Sequence, residues 1–227
     1  MIINTESWKK MKRCDIMKTS YGAKGRVTDM ENKKIITIGR QLGSGGREIG
    51  KMLGEKLGIP VYDKEILEES AKKSGFSQAI FEKHDEKPTS SFLYALAMGV
   101  NHMGHSYQKP LMLEIYLAQF DTIRKLAQEG PCVFIGRCSD YVLNDMDNVL
   151  NVYVSADMQT RVKRTMEKHG ISEKQAEGMC IRGDKDRSNY YNYYSDHPWG
   201  DARYYDLCVN TGKISLEKAT ELIIQCL

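Results

Sequence analysis

The chain has 227 residues, enough for one sizeable domain with insertions. Its formal net charge of +3 is modest, and its basic residues form no stripe of the kind found in nucleic-acid binders, so no nucleic-acid partner is expected. No apolar run is long enough to span a membrane, and the basic residues near the N-terminus lack the apolar core of a signal peptide. The six cysteines include no C-x-x-C pair, which favours free thiols in a reducing, cytoplasmic compartment.

The compact pattern begins after residue 33. Residues 1–33 are polar and show no sustained periodicity, so they are predicted to form a tail, and residues 34–227 the folded domain. Ile35-Ile36-Thr37-Ile38 is a β-branched run typical of a buried strand. A glycine-rich segment, 39–46, follows it directly. Apolar residues then recur at helical spacing until Gly58, which is predicted to end the helix.

Four more strands are predicted along the chain, at Ile59–Tyr62, Cys132–Ile135, Val149–Val154 and Leu207–Asn210. Helices are predicted over much of 64–129, from about Asp157, and after Ser215, which is expected to cap the last helix. Strands that alternate with helices predict a parallel sheet with helices on both faces. The fold class expected is therefore a three-layer α/β/α domain with a parallel five-stranded sheet.

The glycine-rich segment joins the first strand to the first helix. Glycines let backbone N–H groups converge on an anion, and a helix N-terminus adds a favourable dipole, so this arrangement favours phosphate binding. Arg40 and Arg47 add positive charge at its two ends. The segment lacks the Lys-Ser/Thr pair of the G-x-x-x-x-G-K-[ST] motif. The alternative is a tight strand-to-helix turn that binds no ligand.

Residues 35–57, together with later blocks in the same order, resemble the cytidylate kinase-like family, a branch of the P-loop nucleoside-monophosphate kinases. Cytidylate kinases typically read I-T-I-D-G-P-S-G-A-G-K-G-T where this chain begins Ile36-Thr37-Ile38-Gly39. Gly46 takes the position of the lysine, and Glu48 that of the hydroxyl residue that binds metal. Arg47 lies one helical step further, a rotation of about 100°, and its long guanidinium arm is expected to replace the lysine. The phosphate-binding residues implied by the resemblance are Arg40, Gly43, Ser44, Gly45, Gly46, Arg47 and Glu48, and no metal ligand is assigned.

Two residues at strand ends are candidates for binding the phosphate acceptor. Asp63 ends the second strand, where ligands collect in open α/β sheets, although an aspartate here also suits a helix cap. Ile135-Gly136-Arg137 follows the third strand and resembles the family's E-G-R-D block. A phosphate ligand is the favoured role for Arg137, and a structural ion pair is the alternative.

The second half of the chain carries an arginine-rich region. Arg161 and Arg164 share a helix face, and the resemblance implies contacts with the donor phosphates. The run 182–187 is similar to the family's R-D-D-R-D-R lid, with Arg182, Asp186 and Arg187 matching. A charge run is also what a solvated face shows, but its position after the arginine helix favours a lid, assigned to residues 180–205. Packing is the favoured role of the tyrosines that follow, and His102 and His105 are expected to be structural or surface residues.

The resemblance implies transfer of the γ-phosphoryl group of ATP, with Mg²⁺, to a nucleoside monophosphate, by default CMP or dCMP. Arg47, Arg161, Arg182 and Arg187 would hold the donor and the transferring group, Arg137 the acceptor phosphate, and Asp63 and Asp186 would orient the nucleotide. Residues 64–115 would form the helical acceptor-binding insertion, and the chain is expected as a monomer or homodimer. The alternatives are a non-catalytic nucleotide sensor, favoured by the missing lysine, and a kinase of another small phosphate acceptor.

Overall fold

The computed structural model describes residues 35–63, 65, 66, 69, 70 and 111–227. The predicted tail, His102, His105 and most of the predicted insertion lie outside the described residues. Within them, one sheet contains five parallel strands in the order β2-β3-β1-β4-β5. The strands are β1 (Ile35–Arg40), β2 (Val61–Tyr62), β3 (Val133–Ile135), β4 (Val149–Ser155) and β5 (Leu207–Asn210). The predicted fold class and the five strands are thus confirmed.

Six α-helices with full bounds accompany these strands in the described part of the chain, and residues 65, 66, 69 and 70 are also helical. They are α1 (Gly46–Leu57), α2 (Leu111–Glu129), α3 (Ser139–Val142), α4 (Met158–His169), α5 (Glu173–Tyr194) and α6 (Leu216–Gln225). The helix ends that the sequence analysis assigned to particular residues are confirmed. Gly58 closes α1 in a left-handed conformation, Asp157 caps α4, and Ser215 caps α6 through a hydrogen bond from the Lys218 N–H.

Strand β1 runs through the centre of the sheet and faces both layers. Its alternating side chains divide between two apolar cores, as the twofold repeat of a strand requires. Ile36 and Ile38 pack with residues of α1 and α6 on one face, while Ile35 packs with residues of α2 on the other. Because β1 lies between β3 and β4, its carboxyl end opens between their ends. This placement sets the glycine-rich loop at the centre of the sheet's functional edge.

Helix α5 contains the charge run that the sequence assigns to a lid. It is continuous over 22 residues and begins with a capping box formed by Ser172 and Gln175. Tyr190, Tyr191 and Tyr194 near its C-terminus are buried, and the Tyr194 ring stacks on Tyr116 of α2 at a centroid distance of 3.8 Å. The arginines of the run are therefore presented on a helix whose far end is fixed by aromatic packing. None of the helices in the described residues is long and apolar enough to cross a membrane.

Candidate active site

The glycine-rich loop turns sharply between β1 and α1. Gly43 and Gly45 have φ angles of 77° and 85°, which side-chain-bearing residues rarely adopt. A Cβ atom at Gly43 would lie 2.7 Å from the Arg161 carbonyl oxygen, so the loop packs directly on α4. Thr211, after β5, donates a 2.6 Å hydrogen bond to the Ser44 carbonyl and holds the loop from the other side. The loop is therefore fixed by its neighbours before any ligand arrives.

An open cleft of about 650 Å³ lies along this loop and is strongly basic. Its walls come from the loop, the start of α1, α4 and α5. The charged residues in its lining are Arg40, Arg47, Glu48, Arg164, Glu167, Lys168 and Arg187. The excess of cations, together with the N-terminus of α1, makes the cleft suited to a polyphosphate.

Arg47 and Glu48 begin α1 but point to different partners. The Arg47 guanidinium lies 2.5 Å from an Asp63 carboxylate oxygen, at the end of β2. Glu48 accepts a 2.8 Å hydrogen bond from Lys168 of α4. Burial opposes the ionisation of Glu48, but hydrogen bonds from Lys168 and the backbone and the charges of Lys168 and Arg47 together lower the pKa of the carboxyl group. Glu48 is thus an ionised side chain in the cleft wall.

Arg137 lies buried just after β3, with 2% of its surface exposed. Its Nη1 donates to Asp63 Oδ1 at 3.0 Å and to the Ile135 carbonyl oxygen at 3.2 Å. Asp63 therefore joins Arg137 to Arg47 across the ends of β2 and β3. Arg137 and Cys138 both have positive φ, 55° and 56°, and non-glycine residues held in this region cluster at functional sites. Both roles considered for Arg137, an ion pair and a phosphate ligand, are compatible with this position.

A second, enclosed cavity of about 20 Å³ lies beside Arg137, with room for about one water molecule. Its lining is rich in arginine and aromatic residues, namely Gly39, Arg40, Gly136, Arg137, Cys138, Asp140, Arg187, Tyr190, Tyr191, Trp199 and Tyr205. The Tyr191 hydroxyl donates a 2.6 Å hydrogen bond to Asp140. Burial raises the pKa of the Asp140 carboxyl, although this hydrogen bond acts in the opposite direction. Sequence reasoning missed Asp140, because nothing local distinguishes it from a surface aspartate.

The arginines of α4 serve the loop. Arg161 is 5% exposed, and its Nη1 lies 2.5 Å from Asp184 of α5 and 3.3 Å from the Leu42 carbonyl oxygen. Asp184 also accepts a hydrogen bond from the Leu42 N–H at 2.8 Å. Arg164 donates to the carbonyl oxygens of Ser44 and Thr211. Arg161 and Asp184 together hold the loop between α4 and α5. The charge run in the sequence did not indicate this role for Asp184.

The three lid residues named from the sequence occupy different places on α5. Arg187 borders both the open cleft and the enclosed cavity, and makes a long hydrogen bond of 3.5 Å to the Arg40 carbonyl oxygen. Arg182 is exposed and Asp186 half-buried, and neither lines these two cavities of the described structure. The structure therefore brings Arg40, Arg47, Arg137 and Arg187 around one edge of the sheet and leaves Arg182 outside that group.

Across the described residues, no group of three or more histidine, cysteine, aspartate or glutamate side chains forms a metal-binding cluster. In the described part of the chain, arginine side chains make up most of the charged lining of the two cavities. That chemistry neutralises and positions phosphate oxygens.

A parallel sheet with a glycine-rich loop and converging arginines at the carboxyl ends of its strands defines a phosphotransferase with a P-loop kinase fold. The profile of the cytidylate kinase-like family matches residues 35–213, and the chain belongs to that family.

The comparisons with individual proteins agree with this assignment. A cytidylate kinase from Pyrococcus horikoshii is 26% identical over 189 residues, which cover 82% of this chain and 84% of the relative. The crystal structure of an uncharacterized protein from Eubacterium ventriosum is 33% identical, with a TM-score of 0.66, and covers 86% of this chain and 98% of its own. A shikimate kinase structure from Bacteroides thetaiotaomicron, 11% identical with a TM-score of 0.50 over 85% and 97% of the two chains, shares the fold alone.

Proposed function

We propose that this protein transfers the γ-phosphoryl group of ATP to a nucleoside monophosphate, with CMP or dCMP as the default acceptor. The observation that carries the proposal is that the open basic cleft and the enclosed arginine-lined cavity share two cations. Arg40 and Arg187 are the described residues that border both. A phosphoryl group passing from a donor to an acceptor needs positive charge at the point where the two sites meet.

The open cleft is the proposed donor site. Its volume of about 650 Å³ falls within the range of small-molecule sites, and its lining includes Gly43 and Gly45 of the loop and the first residues of α1. Mg²⁺ would enter as the magnesium complex of ATP, its coordination completed largely by phosphate oxygens and water. Arg161 would act on the donor through the loop, because its guanidinium is already engaged by Asp184 and Leu42.

The region around Arg137 is the proposed acceptor site. Arg137 would bind the acceptor phosphate, and Asp63, which contacts both Arg137 and Arg47, would orient the nucleotide and the two cations. Arg182, Asp186 and Arg187 would close over the substrates by rotation of their side chains, because Asp184 and Tyr194 hold α5 in place, and this closure would exclude water and suppress hydrolysis. In this proposal Arg182 reaches the phosphates only in the closed state.

A second acceptor class, a small phosphate acceptor other than a nucleotide, is favoured by the aromatic wall of the enclosed cavity. Tyr190, Tyr191, Trp199 and Tyr205 surround a space of about 20 Å³, far less than a nucleoside occupies. A nucleotide acceptor requires this wall to open, whereas a smaller acceptor requires less movement. The nucleotide remains the first proposal because the cytidylate kinase from P. horikoshii matches this chain over most of both lengths.

The test is a coupled assay of ADP release with ATP and, in turn, CMP, dCMP, UMP, AMP and non-nucleotide acceptors. We expect acceptor-dependent turnover with CMP or dCMP. Turnover with non-nucleotide acceptors alone would replace the first proposal with the second. Saturable ATP binding without acceptor-dependent ADP release from any of them would identify a sensor and overturn both.

An arginine pair supplies the matched control for the acceptor site. Arg137→Lys retains the charge but loses the bidentate guanidinium, so we expect KM for the acceptor to rise and kcat to fall, each by about 10-fold or more. Arg124→Lys makes the same change at Arg124, which pairs with Asp145 outside both cavities, and is expected to leave the kinetics unchanged. Equal kinetics in the two variants would exclude Arg137 from acceptor binding.

A further inference from the structure

The position that carries lysine in ordinary P-loops is filled from another part of the chain. Gly46 occupies this position at the start of α1. A Cβ atom at Gly46 would lie 2.6 Å from the Cβ of Arg40 and 3.1 Å from its Cγ. Because real Cβ atoms do not approach other atoms so closely, and the Arg40 Cβ is fixed by the backbone, residues 40 and 46 cannot both bear side chains without a shift of the loop.

The two positions are thus complementary. In the loop sequence typical of cytidylate kinases, the place of Arg40 holds glycine and the place of Gly46 holds lysine, and this chain has the reverse arrangement. The Arg40 side chain therefore leaves the backbone within about a bond length or two of where a lysine at 46 would begin. Arg40 is 7% exposed and borders both the open cleft and the enclosed cavity.

Arg47, the substitute expected from the sequence, is directed elsewhere. Its guanidinium contacts Asp63 at 2.5 Å, and Asp63 in turn contacts Arg137. Arg47 borders the open cleft, but its guanidinium is held by Asp63 on the acceptor side of the site. Its 40% exposed side chain also gives it a wetter, more strongly screened environment than that of Arg40.

We propose that Arg40 binds the terminal phosphates of the donor in place of the missing loop lysine, and that residue 46 is glycine because its side-chain volume is taken by Arg40. This inference rests on the proposed function for the identity of the donor. A planar guanidinium suits two phosphate oxygens at once, so the exchanged cation retains the electrostatic role of the lysine with a different geometry.

The test restores glycine at position 40 and lysine at position 46, and it measures ATP binding separately from turnover. Four variants are compared with the wild type: Arg40→Gly, Gly46→Lys, the double variant Arg40→Gly/Gly46→Lys, and Arg47→Ala. Affinity is measured by titration with a fluorescent, non-hydrolysable ATP analogue, without acceptor. Turnover is measured by ADP release, and folding by circular dichroism.

We expect Arg40→Gly to weaken ATP-analogue binding about 10- to 100-fold, the range for losing hydrogen bonds to a charged group. Gly46→Lys should also bind poorly, because its side chain collides with Arg40. The double variant should bind at least about 10-fold more tightly than Arg40→Gly, and Arg47→Ala should lose less than about 3-fold.

A loss with Arg47→Ala as large as that with Arg40→Gly would overturn the inference, as would a folded double variant that binds no better than Arg40→Gly. If the double variant does not fold, the comparison of Arg40→Gly with Arg47→Ala decides the question alone. Because these titrations contain no acceptor, they give an answer even if no acceptor is found and the proposed function fails. If Arg40→Gly binds the ATP analogue as tightly as the wild type and still turns over, the inference is rejected and the proposed function stands.

Discussion

The contact between Arg161 and Asp184 allows a quantitative prediction about what holds the glycine-rich loop. Asp184 is the carboxylate within ion-pair distance of the Arg161 guanidinium, and its other oxygen accepts the Leu42 N–H. Asp184→Asn keeps an oxygen for Leu42 but removes the charge opposite a side chain that is only 6% exposed. Removing one partner of a buried ion pair typically costs about 3–5 kcal/mol. Because the Asp184 side chain is 18% exposed and water reaches it, we expect the lower end, about 3 kcal/mol.

The measurement is urea unfolding at neutral pH. A loss of about 3 kcal/mol lowers the transition midpoint by at least about 1 M for a typical slope of 1–3 kcal/mol/M. Arg161→Met/Asp184→Asn removes the charge that Asp184→Asn leaves behind, so the double variant should recover at least about half of the loss. Glu221→Gln removes one partner of an exposed pair with Lys218 and is expected to change stability by about 0.5 kcal/mol or less.

The reasoning fails if Asp184→Asn costs no more than Glu221→Gln. It also fails if Arg161→Met lowers the free energy of unfolding as much in the Asp184→Asn variant as it does in the wild type. Either result would mean that the two charges do not depend on each other and that the loop is held by its packing on α4 instead.

Three further predictions concern the loop, the enclosed cavity and the thiols. Gly43→Ala and Gly58→Ala both place alanine at a positive φ, at a cost of about 1–2 kcal/mol, but only Gly43→Ala also collides with the α4 backbone. Thermal unfolding should therefore show a further loss of stability of about 1–3 kcal/mol for Gly43→Ala. Equal losses in the two variants would contradict the packing of the loop on α4. Burial holds the pKa of the Asp140 carboxyl above its unfolded value of about 3.9, so ionisation of Asp140 opposes folding as pH rises through that range. Asp140→Asn should therefore be more stable than the wild type at pH 7, by a difference in unfolding free energy that shrinks toward pH 4. A difference that grows toward pH 4 would mean that folding lowers this pKa instead. Burial raises the pKa of the Cys132 thiol to about 12. Iodoacetamide at pH 7 should therefore label the exposed Cys226 and leave Cys132 unlabelled until the protein unfolds, as followed by peptide mass spectrometry. Labelling of Cys132 in the folded protein would contradict its buried position.

The sheet was predictable because its signals are local. Each strand is a short apolar run, and the strand-loop-helix order of parallel units restricts how such runs assemble. The ends of α1, α4 and α6 were also predictable, because Gly58, Asp157 and Ser215 end or begin helices through hydrogen bonds within a few residues. Helix α5 was harder, because glycine and a dense charge run have weak local preferences. Its C-terminal tyrosines pack against α2, a contact between distant parts of the chain.

The candidate site was predictable only in outline. Strand ends and glycines located it, and the family resemblance named most of its cations. The partners of those cations were not accessible, since Arg161 meets Asp184 and Arg47 meets Asp63 only after the fold forms. The relation between Arg40 and Gly46 shows the limit clearly. Six positions separate them in sequence, and their exclusion of one another depends on the distance between a strand end and a helix start.

The turn after β3 has a consequence for how this sequence would evolve. Gly136, Arg137 and Cys138 all adopt left-handed backbone conformations, which cost about 1–2 kcal/mol for each residue other than glycine. Glycine at position 137 would remove that backbone cost, but it would also remove the buried Arg137 side chain from its ion pair with Asp63, a loss of about 3–5 kcal/mol. Selection for thermal resistance, with no demand for turnover, should therefore retain Arg137 as firmly as selection for activity does.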